Sequence, residues 1–314
     1  MGLSRDPGSR ARPDALAGHR HVLRPQRRLP GDRRLLPRGL RVRRPIAREP
    51  AADVNTVRVV FVGGLTSYRA LFNWISPWIF IPHTLGYPIF EILFFAYLGR
   101  FAGVQSDRFF LVGNAFLAIA VTGMFGMGHA TAGERRSQTL ATLLASPANR
   151  FAVFLGRALP SIVTGCFVAA TSFAVCAAIL GVHVPASAFG GLALATVAAA
   201  FACTALGLCI GALGLRGRNV SVFADVITAC MLVVSGANVP LHRLPGWVQT
   251  ISSGIPLTHG IEAARAIANG SSIAGSADLL AKEAAVGAVY LVIGLIMLRL
   301  FEYEGRRTAS LETF

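Results

Sequence analysis

The sequence predicts an all-α polytopic membrane protein with six transmembrane helices. Three observations carry this. Hydrophobic residues make up 54% of the 314-residue chain and charged residues only 14%, with a mean hydropathy of +0.57. Several apolar runs reach the ~20 residues needed to cross ~30 Å of hydrocarbon as a helix. Two islands of different texture interrupt them, a polar one at 133–157 and one broken by Pro and Gly at 235–267.

Residues 1–55 hold no apolar periodicity and read as a disordered tail. The first fifty carry fourteen arginines against four acids (Asp6, Asp14, Asp32, Glu49), so most of the net charge of +15 resides there. Pro7, Pro13, Pro25, Pro30, Pro37 and Pro45 break the amphipathic helix that a transit peptide requires. Arg27-Arg28 and Arg33-Arg34 lack the apolar core of a twin-arginine signal. The tail reads either as a polybasic arm on anionic lipid or as a stretch without a selected role, and no nucleic-acid partner is expected. Residues 56–73 mix apolar side chains with Arg58 and Arg69, which fits an interfacial helix or a plain linker before the first span.

The six-helix domain is expected at 74–303, followed by a short tail at 304–314. The first span, about 74–99, contains Pro77, Pro82 and Pro88 and is expected to be kinked or partly unwound near its start. It also carries Glu91, either a polar group lining a transport path or a hydrogen-bonding partner for another helix. The second span is expected at 109–130 and the third at 151–181, kinked at Pro160. The fourth, 189–215, contains Gly207-x-x-x-Gly211, which suits close packing inside one subunit. The fifth, 220–239, carries Asp225 about one turn in, and the last covers 284–301.

In the first island, Leu140, Leu143 and Leu144 share one helical stripe at i, i+3, i+4. Thr131 and Glu134 have the spacing of a capping box, and Ser146-Pro147 stops the helix. A short rod at 131–147 with a leucine face and no bilayer to bury it reads as a docking element for another protein, or as a loop packed on its own neighbours. The second island is too polar for one span and too apolar for a plain loop. It reads as short helical pieces dipping back into the outer leaflet, with Trp247 at the interface.

Basic residues set the orientation. Arg135, Arg136, Arg150, Arg157, Arg216, Arg218, Arg299, Arg306 and Arg307 fall on the side of the basic N-terminus. The opposite loops hold Arg100, Arg108, Arg243, Arg265 and Lys282, offset by Asp107, Glu262, Asp278 and Glu283. Both termini and the leucine stripe are therefore expected in the cytoplasm.

Cys166, Cys176, Cys203, Cys209 and Cys230 all lie in apolar runs and read as reduced, buried side chains. His129, His242 and His259 have no partners at metal spacing, so no metal is expected. Lys282, the sole lysine, stands in DLLAKEA and not in a Gly-Lys-Ser/Thr loop. This chain cannot hold ATP in a Walker A loop, no cofactor is expected in it, and it is not read as an enzyme.

The run Glu134-Arg135-Arg136, Thr139-Leu140, Leu143-Leu144, Ser146-Pro147 resembles the first cytoplasmic loop of type-2 ABC transporter permeases. Gln138 and Ala141 depart from the glycine and glutamate common there. A second resemblance to that family lies in Ser235-Gly236, Pro240, Leu244-Pro245-Gly246-Trp247, Pro256-Leu257-Thr258 and Ile261-Glu262-x-x-Arg265. The resemblance covers about residues 60–305 and leans to the daunorubicin-type drug-resistance branch. It implies that 131–147 is a coupling helix seated in an ABC ATPase subunit, and that 235–267 forms a re-entrant outer gate. It further implies a second permease copy or a related permease, ATP and Mg in the partner ATPase, and a bacterial plasma (inner) membrane location. The expected function is export of a hydrophobic or amphipathic, drug- or lipid-like substrate. The alternatives are a polysaccharide or lipid-glycan exporter, an ion-coupled secondary transporter and a membrane scaffold without transport. An ion-coupled carrier needs buried ionisable relays and a repeated half, whereas Glu91 and Asp225 are the only acids in the expected spans.

Overall fold

In a membrane, helices gain nothing from hiding apolar side chains from lipid, so they associate through close packing and interhelical hydrogen bonds. The positions of the glycines therefore say which helices lie at the centre. The computed structural model describes residues 77–136, 150–216 and 220–308. All of these fall in the unit Pro50–Phe314, one of two into which the chain divides. The arginine-rich tail and the expected interfacial helix lie outside the described residues. So does the stretch 137–149, with Thr139, Leu140, Leu143, Leu144, Ser146 and Pro147.

Eight α-helices and no strand occur among the described residues: α1 Pro77–Ala102, α2 Asp107–Arg136, α3 Arg150–Leu180, α4 Phe189–Arg216, α5 Val220–Val234, α6 Gly246–Ser253, α7 Thr258–Ala268 and α8 Ala277–Thr308. Of these, α1, α2, α3, α4 and α8 are long and apolar enough to cross a membrane. The apolar windows of α2 and α4 are 72% and 67% buried, against 22%, 28% and 17% for α1, α3 and α8. The first pair is thus the centre and the other three form the rim.

Glycine makes that centre. A Cβ on Gly207 would lie 2.8 Å from the carbonyl oxygen of Gly123, and one on Gly211 would lie 2.6 Å from Thr131 Cβ. The G-x-x-x-G pair thus serves contact between α4 and α2 inside the subunit, as its spacing suggests. On its other face, α4 receives α8, where Gly287 admits the Phe201 ring and Gly294 admits Leu208.

Several boundaries differ from the sequence reading. The helix expected to cross at 220–239 is only the 15 residues of α5, about 22 Å at 1.5 Å per residue. It ends because Ser235 turns its hydroxyl back onto Met231 O and Gly236 takes a φ of +83°. The described helices that satisfy a full crossing therefore number five. The last helix begins at Ala277 rather than 284 and runs to Thr308, so Lys282 and Glu283 are helical and not in an outer loop. Among the described residues the first helix is unbroken from Pro77, with Pro82 and Pro88 inside it. Pro77 occupies the first helical position, where the missing N–H costs nothing.

The capping box at Thr131 and Glu134 does not form. Helix α2 runs unbroken through both to Arg136. The Thr131 hydroxyl, fully buried, donates to Met127 O one turn back. A hydroxyl committed to the preceding turn beside Gly211 cannot cap a new helix. All five cysteines are free; Cys176, Cys203 and Cys209 are buried, but Cys230 is exposed on the apolar outer face of α5.

Candidate functional site

The segment between α5 and α8 is where polar chemistry concentrates. It consists of a turn at 235–240, a 3₁₀ turn Leu241–Arg243, α6, a second turn, and α7. Proline punctuates it: Pro240 precedes the 3₁₀ turn and Pro245 precedes α6, both in extended backbone that feeds a helix start. Helix α6 leaves Trp247 69% exposed, with Ile251 beside it one turn on. Ser252, on the inner face, donates to Val234 O at 2.7 Å and lies 3.3 Å from the Thr258 hydroxyl. Pro256 and Thr258 are buried.

Helix α7 packs against α2, α4 and α8, so its two ends need polar partners in an apolar setting. At the N-terminal end, Leu257 adopts a φ of +84°, the only described non-glycine residue with positive φ. With ψ at −31° it lies in a sparsely populated region, which costs about 1–3 kcal/mol. The strain is held by Glu283 of α8, which is fully buried. Its Oε1 accepts the Leu257 N–H at 2.7 Å and its Oε2 accepts the Gly260 N–H at 3.0 Å. The carboxylate thus supplies what a capping side chain would, and it sits at the positive end of the helix dipole. Two turns further along α8, Tyr290 donates to Gly254 O at 3.2 Å.

At the C-terminal end stands Arg265. Its Nη1 donates to Gly236 O at 2.8 Å, and its Nη2 donates to Ala237 O at 2.7 Å and Phe109 O at 3.0 Å. The guanidinium lies 3.5 Å from the centroid of the Phe109 ring. Gly113 leaves room for this contact, since a Cβ there would overlap Ala237 O and crowd Arg265 Nη2. Nearby, Asn114 donates to Asn238 Oδ1 at 2.9 Å and so ties α2 to the same turn. A cavity of about 360 Å³ opens beside Arg265, lined among others by Gln105, Phe109, Gly236, Leu241 and Glu262.

The structure brings Ser235, Gly236, Pro240, Glu262 and Arg265 together around this cavity. Thr258 and Pro256 sit instead at the Glu283 end, while Pro245 leads into α6 and Trp247 stands exposed in its first turn. Two residues assigned to an outer loop by the charge count, Arg265 and Glu283, are interior tethers. The sequence signal for Glu283 was its spacing: Glu283, Gly287 and Tyr290 recur on one face of the apolar run, against α4 and the broken segment. Glu91 is half-buried on α1, one turn after Tyr87, with Oε2 buried and unpartnered. Of the docking residues, Glu134, Arg135 and Arg136 belong to the last turn of α2, and the others lie outside the described residues.

The family model for ABC-2 type transporters matches residues 66–268. The chain belongs to that family. No curated protein matches it. The ABC-2 stretch runs through α7 and stops short of α8, so the Glu283 contacts join it to a helix beyond the match. Membership makes the chain a multi-pass membrane component of an ABC transporter, and an ABC-2 permease implies an ABC ATPase subunit as its partner.

Proposed function

We propose that this chain is the permease subunit of an ATP-driven exporter. It moves a hydrophobic or amphipathic, drug- or lipid-like substrate outward across a bacterial plasma membrane. The ABC-2 match over 66–268, on a bundle with five helices long enough to cross, carries the reading. The motor is a separate chain that binds ATP and Mg, because the only lysine here, Lys282, is exposed and paired with Asp278 at 2.7 Å on α8.

Two permease copies, or one with a related permease, line a path between them, with both termini of this chain in the cytoplasm. The ATPase grips the leucine stripe Leu140, Leu143, Leu144. Nucleotide binding draws two such stripes together and shifts the population from inward- to outward-open states. The unbroken run of α2 to Arg136 supports this, since a push delivered just past its end acts on a central helix. Glu91 is the polar group on the path, and 235–267 forms its outer gate.

Co-purification tests the reading. Leu143→Glu places a charge on the stripe and is expected to abolish capture of the ATPase subunit while membrane insertion is unchanged. Undiminished capture contradicts it.

A further inference from the structure

The two ends of α7 are anchored differently. At Glu283 the anchor is closed: the carboxylate is fully buried, and both its oxygens are filled by backbone N–H groups. Gly260 lies flush against it, so that a Cβ there would meet the Glu283 side chain at 3.4 Å and Ala199 at 3.3 Å. Breaking this contact strands a charge and two amides away from water, the most expensive kind of loss in a low-dielectric interior. Among the described residues His259 on α7 and Cys203 on α4 are ionisable groups close to it, while Lys282 and Asp278 on its own helix pair with each other at the surface.

At Arg265 the anchor is open. Its acceptors are three neutral carbonyls, and it borders a cavity of about 360 Å³. Water entering that space can take over the Phe109 and Gly236 carbonyls as the guanidinium withdraws, so release there costs less than at the closed end. Arg108, partly exposed, adds a second tie from α2 to Ala268 O at 3.4 Å and Asn269 Oδ1 at 3.3 Å, beside its shorter bond to His183 O at 2.8 Å.

The geometry points to α7 and α8 moving as one body, with Glu283 the positioning residue that joins them and the Arg265 end the one that parts. The outer segment thus opens by Arg265 leaving Gly236, Ala237 and Phe109, while Leu257 keeps its strained backbone throughout. The last crossing helix carries the gate with it. Glu283 touches no substrate in this account; it transmits the position of α8 to α7.

The inference takes the segment as the gate of the permease proposed above, but its test needs no ATPase, so the two fail separately. Spin labels are placed on the full chain in lipid nanodiscs at exposed sites, one pair at Ser253 and Ala281 across the Glu283 end, the other at Val104 and Ser271 across the Arg265 end. The first pair is expected to give a single narrow distance distribution and the second a broad or two-peaked one. Glu283→Gln, which offers one acceptor in place of two, is expected to broaden the first pair. Glu283→Asp, too short to reach both amides, is expected to do the same. Arg265→Gln is expected to move only the second pair. A first pair as broad as the second, or a first pair left narrow by both Glu283 variants, overturns the inference.

Discussion

A carboxylate held away from water is tolerated only where donors replace its hydration, and Glu283 obtains them from Leu257 and Gly260. Glu283→Ala leaves both amides unfilled and is expected to lower stability by about 3 kcal/mol, read as a fall in the unfolding midpoint of the purified protein. The glycines give a matched pair, one costly to replace and one neutral. Gly207→Ala forces a methyl to within 2.8 Å of the Gly123 carbonyl and should cost about 1–3 kcal/mol. Gly190→Ala, on the same helix but with nothing within 4 Å, should leave the midpoint unchanged in the same unfolding assay.

At the scale of the element, α6 is the piece whose depth can be measured. It presents Trp247 and Ile251 on one exposed face while Val248 and Ser252 face inward. In a Trp74→Phe, Trp78→Phe background, Trp247 fluorescence is expected to be quenched more by lipids brominated near the headgroup than at the chain ends. The helices themselves were legible, because an apolar run of crossing length has few other homes. Their ends were not. Thr131 and Glu134 have the spacing of a cap, but whether a helix starts there depends on whether the preceding one stops, and Gly211 across the interface lets it continue. Ser235-Gly236 stop α5 inside an apolar run, which hydropathy cannot register. Arg265 and Glu283 looked like loop charges because the carbonyls and amides that satisfy them belong to backbone far away in sequence. Arg265 was visible as part of a motif and Glu283 only as a loop charge, and their role as the two anchors of α7 was not.

Across the whole molecule, the central helices are sealed by glycine contacts and the rim is apolar outward. Phe90, Phe94 and Phe101 on α1 and Val289, Val292 and Ile296 on α8 are all exposed. A surface of that kind is bathed by lipid or by a second subunit, which agrees with a permease working inside a larger assembly. Its orientation decides whether an ATPase in the cytoplasm can reach the leucine stripe. Placing Arg265, Lys282 and Glu283 in helices takes two positive charges and one negative from the outer loops, which leaves the basic excess on the N-terminal side in place. The most direct measurement is the sidedness of position 137. In a Cys230→Ser background, Ser137→Cys is treated with a membrane-impermeant maleimide in intact cells and in inverted vesicles. Labelling in inverted vesicles alone is the predicted result; labelling in intact cells puts the docking stretch on the outer surface and contradicts the account.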